Sequence, residues 1–213
     1  MTTRPAGAHV PIAGGLAGGA LRRVREALLP LLDALGPQEP ELLLEPMAGQ
    51  GSMVCATIAD IGSYLDVLGW HPRAGVCLDT CHLFAAGHRL DAPDAAPALL
   101  AEFAGLARPG PAAGRLRLIH ANDSKDGCGS RRDRHQNLAA GTIGSGLFAG
   151  LLAHPATSGV PFIAETPGPQ SAHAADVALL KRLREQPAGG AGAAADPAGS
   201  ASLAVGHPPR PAR

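Results

Sequence analysis

Residues 75–82, GVCLDTCH, hold the pattern that decides the fold: a short apolar run that ends on Asp79. Three other segments have the same form, namely 41–45 (ELLLE), 116–120 (LRLIH) and 161–165 (PFIAE). Each is short and apolar and closes on a group that can bind a metal or carry a proton. Such runs are typical of parallel β-strands, whose carboxyl ends share one edge of a sheet.

Longer amphipathic segments separate these predicted strands. Apolar residues recur near helical spacing in 21–35, 99–106 and 147–151, and again at Val177, Leu180 and Leu183. Pro30 is expected to kink or split the first of these helices. The alternation predicts an α/β fold of parallel strands covered by outer helices.

Length and composition bound the remaining possibilities. The 213 residues, with 46% hydrophobic side chains, suffice for one globular domain, which we place at 1–186. Residues 187–213, dominated by Ala, Gly and Pro, are predicted to form a disordered tail. The 18 basic and 18 acidic side chains balance, so any binding of nucleic acid must be local.

Targeting signals and cysteine pairs are not apparent in the sequence. No apolar run approaches a membrane span, and the N-terminus has no signal-peptide core, so we expect a cytoplasmic protein without a membrane partner. The four cysteines form no CxxC pair, which favours reduced, packed thiols.

Seven side chains are candidate metal ligands. They combine the four strand ends with the DTCH and DRH motifs: Glu45, Asp79, His82, His120, Asp133, His135 and Glu165. Carboxylates supply charge, and neutral imidazole favours zinc, manganese or iron. Seven ligands exceed the needs of one tetrahedral ion, so we expect two or more metals that share bridging carboxylates.

Each of these features also has a simpler interpretation. A carboxylate at a strand end is often a helix cap or the partner of an arginine, and a single DxxH or DxH pattern is common by chance. Their joint occurrence at successive strand ends favours a metal site. Lys125, Arg131, Arg132 and Arg134 surround the DRH motif and form either a patch for phosphates or a solvated loop.

Four motifs, in order and spacing, resemble the endonuclease IV family of apurinic/apyrimidinic endonucleases, also called family 2 or deoxyribonuclease IV. They are EPMAGQGS at 45–52, GVCLDTCHLFAAGH at 75–88, IHANDSKDGCGSRRDRHQNLAAGTIG at 119–144 and PFIAETP at 161–167. The resemblance implies a TIM (β/α)8 barrel, of which this chain holds about the last five units. It also implies a base excision repair enzyme with three zinc ions, which cleaves double-stranded DNA 5′ to an abasic site and leaves a 3′-hydroxyl.

The resemblance assigns a role to each ligand. Glu45 would bridge the first two zinc ions and form the second site together with Asp79, His120 and Glu165. The third site would consist of His82, Asp133 and His135. Glu45, Asp79 and Glu165 would also act in catalysis by orienting the attacking water.

Departures from the family pattern concern the first zinc. Its two further histidine ligands have no counterpart in residues 1–40, where His9 is the only histidine and is not assigned as a ligand. We therefore expect the N-terminal part of the barrel to be lacking and two of the three sites to be represented. Pro46 and Met47 replace polar residues of the family beside the bridging glutamate.

Two alternatives stay open. A metal-dependent sugar isomerase or epimerase would share the barrel and the ligand types, although a small sugar has no use for an arginine-rich loop. A truncated, inactive barrel is the other. Zinc content separates them, with about three ions per chain for the endonuclease, one or two for the isomerase and two or fewer for the remnant. No protein partner is predicted, and we expect a monomer.

Overall fold

Strands and helices alternate along the chain in the computed structural model, which describes residues 16–106 and 112–186. In chain order the strands are β1 (Leu42–Leu44), β2 (Ala74–Asp79), β3 (Leu116–His120), β4 (Asp123–Ser124), β5 (His135–Gln136) and β6 (Phe162–Ile163). The helices are α1 (Leu16–Ala34), α2 (Ile58–Val67), α3 (Thr80–Ala86), α4 (Ala95–Gly105), α5 (Ser145–Ala153) and α6 (Gln170–Glu185). The predicted tail, 187–213, and His9 lie outside the described residues.

Four of the strands form one parallel sheet in the order β1-β2-β3-β6, and β4 and β5 form a separate antiparallel pair. The four strands predicted from the sequence are those of the parallel sheet, and the α/β prediction is confirmed. Neighbours in the sheet are successive along the chain apart from the small β4–β5 pair, and helices connect them. This is how the wall of a TIM barrel is built. A fifth parallel strand is not among the described residues.

The register aligns the ends of the strands. Asp79 is the partner of His120 across the β2–β3 pair, and His120 is the partner of Ile163 across the β3–β6 pair. Because the strands are parallel, the residues that follow them emerge at the same edge of the sheet.

The core lies between the sheet and the helices. All six residues of β2 are buried, as expected for a parallel strand covered on both faces. Gly75 allows the neighbouring strands to approach, because an added Cβ would lie 2.6 Å from side-chain carbons of both Leu43 and Arg117. Phe84 and Phe103 are each 1% exposed in the main apolar cluster. Burial of such a side chain contributes roughly 1.5–3 kcal/mol.

The helix α1 contains Pro30 and nevertheless continues to Ala34 as one element. Leu32 lies on its inner face and is fully buried. Of the two effects expected of Pro30, a kink or a split, the split does not occur. None of the helices in the described ranges is long and apolar enough to span a membrane.

The inner face of α6 differs from the predicted one. Val177 was expected to point inward but is 43% exposed, whereas Asp176 is only 4% exposed. The buried face follows Asp176, Leu180 and Leu183. Asp176 can be buried because loops at the sheet edge donate three hydrogen bonds to its carboxylate, and these compensate for the loss of water.

Candidate metal centre

All seven predicted ligands lie together at the carboxyl edge of the parallel sheet. Glu45 follows β1, Asp79 closes β2, His120 closes β3, and Glu165 comes two residues after β6. The first turn of α3 adds His82, the loop before β5 adds Asp133, and His135 is the first residue of β5. The strand ends and the two short motifs therefore converge as the sequence predicted.

The second site centres on His120. Its Nδ1 lies 3.3 Å from Glu45 Oε1, 3.3 Å from Glu165 Oε2 and 3.8 Å from Asp79 Oδ2. One ligand atom from each of Asp79, His120 and Glu165 lies within 4.8 Å of the others. Such a spacing allows the three residues to hold one ion.

The third site centres on Asp133. Its Oδ1 lies 3.3 Å from His82 Nε2 and 3.2 Å from His135 Nε2. The two imidazole rings are 5.6 Å apart between centroids, and the three ligand atoms again lie within 4.8 Å of one another.

The histidines of the third site are oriented by backbone carbonyls. Nδ1 of His82 lies 3.1 Å from the carbonyl oxygen of Pro46, and Nδ1 of His135 lies 3.1 Å from that of Glu165. A carbonyl oxygen can only accept, so Nδ1 is the donor in each ring, and Nε2 is the atom left to bind a metal when the ring is neutral.

Both Nε2 atoms are buried and have no hydrogen-bond partner, although Asp133 lies close to each of them. Buried polar atoms are rarely left unpaired, and two that converge on one carboxylate have the donor set of a divalent transition metal. The residues present thus fit the zinc that the sequence predicted.

Glu45 lies between the two sites. Its Oε1 is 3.2 Å from His82 Nδ1 and 3.3 Å from His120 Nδ1. Burial alone would raise the pKa of Glu45, but the hydrogen bonds with His120 and His82 outweigh it and lower the pKa to about 2. This carboxylate therefore remains an anion, which can bind an ion beside His120 and accepts from the Nδ1 of His82.

Asp79 is fully buried, and burial raises the pKa of its carboxyl, opposed by the charges of His82 and His135. For His82, burial lowers the pKa, but the hydrogen bond with Glu45 and the charges of Asp79 and Asp133 raise it to about 9. Four carboxylates against three imidazoles make a cluster that attracts cations, whether protons or metal ions.

Two thiols line the same cluster, which the sequence analysis did not foresee. Cys77 lies with Glu45 and His120, and Cys81 with Asp79 and His135. Burial raises the pKa of Cys81 to about 11 and that of Cys77 further. Both are therefore neutral thiols at physiological pH, in line with the predicted reduced, packed cysteines.

The four basic residues of the arginine-rich loop are exposed, but they are not equivalent. Arg134 makes two hydrogen bonds of 2.6 and 2.5 Å to the carboxylate of Asp126, and Arg132 lies 3.9 Å from the same carboxylate. Within the described ranges, Lys125 and Arg131 form no ion pair. Asp126 thus neutralises part of the basic patch that the sequence predicted.

Arg131 occupies a left-handed backbone conformation with φ of 55°, and its N–H donates to the carbonyl of Ala85 at 2.9 Å. Its Cγ lies 3.8 Å from the position that a Cβ on Gly49 would take. The loop is therefore packed against the end of α3 and against the turn that follows Glu45, close to the proposed metals.

Two residues that support the site were missed by the sequence analysis. Asn122 and Asp176 are buried, and each bonds to segments that carry ligands. Asp176 could have been found, because it precedes Leu180 by four and Leu183 by seven positions and so shares their helix face. The contribution of Pro46 has no sequence signal, because it is made by a carbonyl.

Comparison with known proteins identifies the family of the chain. A family model described as a xylose isomerase-like TIM barrel matches residues 2–185. The proteins named probable endonuclease 4 of Streptomyces coelicolor and Nitratidesulfovibrio vulgaris are 53% identical over 170 residues and 37% identical over 180 residues. These alignments cover 78% and 83% of this chain and 55% and 61% of the relatives.

A solved structure gives the same result. Endonuclease IV from Thermus thermophilus matches with a TM-score of 0.65 and 30% sequence identity, over 76% of this chain and 57% of that protein. This chain thus spans between half and two thirds of the length of these proteins. The chain therefore belongs to the family of xylose isomerase-like TIM barrels, and within it to the endonuclease IV proteins.

Proposed function

We propose that this chain serves DNA repair as a zinc-dependent endonuclease, which hydrolyses the phosphodiester 5′ to an abasic site and leaves a 3′-hydroxyl. The observation that carries the proposal is the pair of buried Nε2 atoms of His82 and His135 that lack a hydrogen-bond partner and face Asp133, next to a second site whose Glu45 contacts Nδ1 of His82. Neighbouring metal sites suit hydrolysis of a phosphodiester.

Zinc bound at two such sites supplies positive charge around a phosphate and lowers the pKa of water. The second site is held by Glu45, Asp79, His120 and Glu165, and the third site by His82, Asp133 and His135.

Exposure separates the three residues expected to act in catalysis. The side chain of Glu165 is 48% exposed and that of Glu45 is 26% exposed, whereas that of Asp79 is fully buried. Glu165 and Glu45 can therefore reach a water molecule or a phosphate at the open side of the cluster. Asp79 would bind an ion from the buried side of the cluster, because its carboxylate is not in contact with solvent.

The arginine-rich loop is the proposed contact to double-stranded DNA that contains an abasic site. Lys125 and Arg131 are exposed cations near the third site, and no carboxylate of the described residues pairs with them. They can neutralise phosphates that flank the scissile bond. We further propose that the protein is a monomer and acts in the cytoplasm.

Cleavage of a duplex with one abasic site tests the proposal. The 213-residue chain, loaded with zinc, is compared with Glu165→Gln, which keeps the size of the side chain and removes its charge. We expect cleavage to fall at least about 100-fold, because metal-assisted stabilisation amounts to several kcal/mol and each 1.4 kcal/mol corresponds to about a factor of ten.

Glu102→Gln is the matched control, since Glu102 lies on α4, pairs with His88 and belongs to none of the candidate ligand groups. Undiminished cleavage by Glu165→Gln would overturn the mechanism. Zinc binding without cleavage by the wild-type chain would instead favour the inactive barrel.

A further inference from the structure

Asn122 joins three strand ends at the metal centre. It comes two residues after β3, and the residue is fully buried. Its Nδ2 donates to Asp79 Oδ2 at 2.7 Å, and its Oδ1 accepts from the backbone N–H of Glu165 at 2.8 Å. Because one partner is an acceptor and the other a donor, the amide has a single favourable orientation.

The backbone of Asn122 is held as well. Its N–H donates to Thr80 Oγ1 at 2.9 Å, and the same hydroxyl donates to the Asn122 carbonyl at 2.6 Å. Thr80 directly follows Asp79. Since β3 lies between β2 and β6 in the sheet, one side chain connects the end of β2 with the segment beyond β6.

The bond to Asn122 decides how the Asp79 carboxylate is presented. Asp79 Oδ1 accepts from the backbone N–H of His82 at 2.9 Å, which fixes one oxygen at the start of α3. Oδ2, the oxygen bound by Asn122, lies 3.5 Å from His135 Nε2 and 3.8 Å from His120 Nδ1. Each oxygen of the Asp79 carboxylate is thus held by a hydrogen bond within the protein.

We propose that Asn122 is a positioning residue of the second site, which holds the Asp79 carboxylate and the backbone of Glu165 in the arrangement that an ion requires. The proposal rests on the proposed function, because it presupposes that the second site binds metal. Partners that orient metal ligands from outside commonly change metal affinity by about 10–100-fold when they are replaced.

Two substitutions test this role in the 213-residue chain. Asn122→Asp keeps the shape and the acceptor for Glu165 but places a second carboxylate against Asp79. Asn122→Ala removes both side-chain bonds without adding charge, so it keeps the test informative if the aspartate variant does not fold. For both we expect zinc affinity at the second site to fall about 10–100-fold, and the third site to be unchanged.

Zinc is titrated against a competing chelator, at a temperature where circular dichroism shows each variant folded. An Asp133→Asn background disables the third site and so isolates the second. Cobalt replaces zinc in a parallel titration, because its visible spectrum reports the ligand geometry of each site. Both variants should alter the second-site spectrum only.

Asn137→Asp is the matched control. Asn137 Nδ2 donates to Asp176 Oδ2 at 2.9 Å. The substitution of Asn137 therefore also places a second carboxylate beside a buried one, as Asn122→Asp does at Asp79. Asn137 has no bond to Asp79. This variant should lose stability but keep the zinc affinity of the second site.

The outcomes separate the two proposals. Wild-type affinity at the second site in both Asn122 variants overturns the positioning role alone. Equal weakening of both sites, or loss of folding in both variants, also overturns it, because Asn122 would then act through the fold. A wild-type chain that binds no zinc overturns the proposed function, and this inference with it.

Discussion

Nδ1 of His135 lies 3.1 Å from the backbone carbonyl oxygen of Glu165. One predicted ligand is thus oriented by the main chain of another, which belongs to a different site. The two sites are coupled through backbone atoms, so the side chain of Glu165 can be changed without removing the acceptor that orients His135.

Glu165→Gln should therefore remove zinc from the second site and leave it in the third. The side chain loses its charge, but its carbonyl still accepts from His135. Zinc bound after dialysis, measured by mass spectrometry, should fall by one ion per chain, while Glu102→Gln retains the wild-type content. Loss of all zinc would show that the two sites depend on the Glu165 side chain together.

Removal of zinc should lower the melting temperature of the chain. A ligand present at about 100 times its dissociation constant stabilises the folded state by about 2.7 kcal/mol. The melting temperature of a domain of this size changes by roughly 2–4 °C per kcal/mol. We expect a loss of about 5–11 °C on addition of a chelator, followed by calorimetry.

His135→Gln should reduce the fall in melting temperature that the chelator causes, because it removes one of the two Nε2 atoms that converge on Asp133. His154→Gln is its control, since His154 caps a turn outside the cluster. An equal shift in wild type and His135→Gln would contradict metal binding by His135.

The salt dependence of DNA binding should distinguish the cations of the arginine-rich loop. Arg131→Ala should reduce the slope of log affinity against log salt by about 0.9, the amount expected for one phosphate contact. Fluorescence anisotropy with an abasic duplex, between about 50 and 200 mM salt, gives the slope.

Asp126→Asn should have the opposite effect, because it removes the negative charge and one of the two oxygens that accept from Arg134. The slope should steepen by up to about 0.9. Glu102→Gln makes the same change in charge outside the loop and should leave the slope unaltered. Unchanged slopes in both loop variants would show that this loop does not contact phosphates.

Asp176→Ala should cost about 3 kcal/mol of unfolding free energy, because it leaves the buried donors of Leu138 and Thr166 without their acceptor and removes one acceptor of Asn137. Val177→Ala, one position along the same helix, is exposed and should stay within about 0.5 kcal/mol of wild type. Urea denaturation of the metal-free chain measures both. The reverse ranking would contradict the observed face of α6.

Much of the fold could be predicted because its signals are local. The runs that end on Asp79 and His120 are short and apolar and close on a polar group. These properties belong to the local sequence and do not depend on how the chain packs. The face of α6 was predicted incorrectly because Val177 has the more apolar side chain. Only the loop donors that converge on Asp176 make the burial of a carboxylate favourable.

In the candidate site, too, residue types could be predicted from local sequence, whereas the pairing of side chains could not. Arg134 and Asp126 stand eight positions apart, and nothing in the sequence alone indicates that they pair rather than leave Arg134 free for phosphate. Cys77 was predicted to be a packed thiol and is one, but its closeness to His120 depends on the β2–β3 pairing.

The sequence by itself identified seven candidate ligands and predicted that they share one edge of a parallel sheet, because residue types and strand ends can be read from short segments. Tertiary structure alone decided which atoms face each other. Pro46 and Glu165 orient His82 and His135 through carbonyl groups that every residue possesses, so no residue pattern reveals them. Which carbonyl meets which imidazole depends on the packing of segments about thirty or more positions apart, and this packing leaves the two Nε2 atoms directed at Asp133.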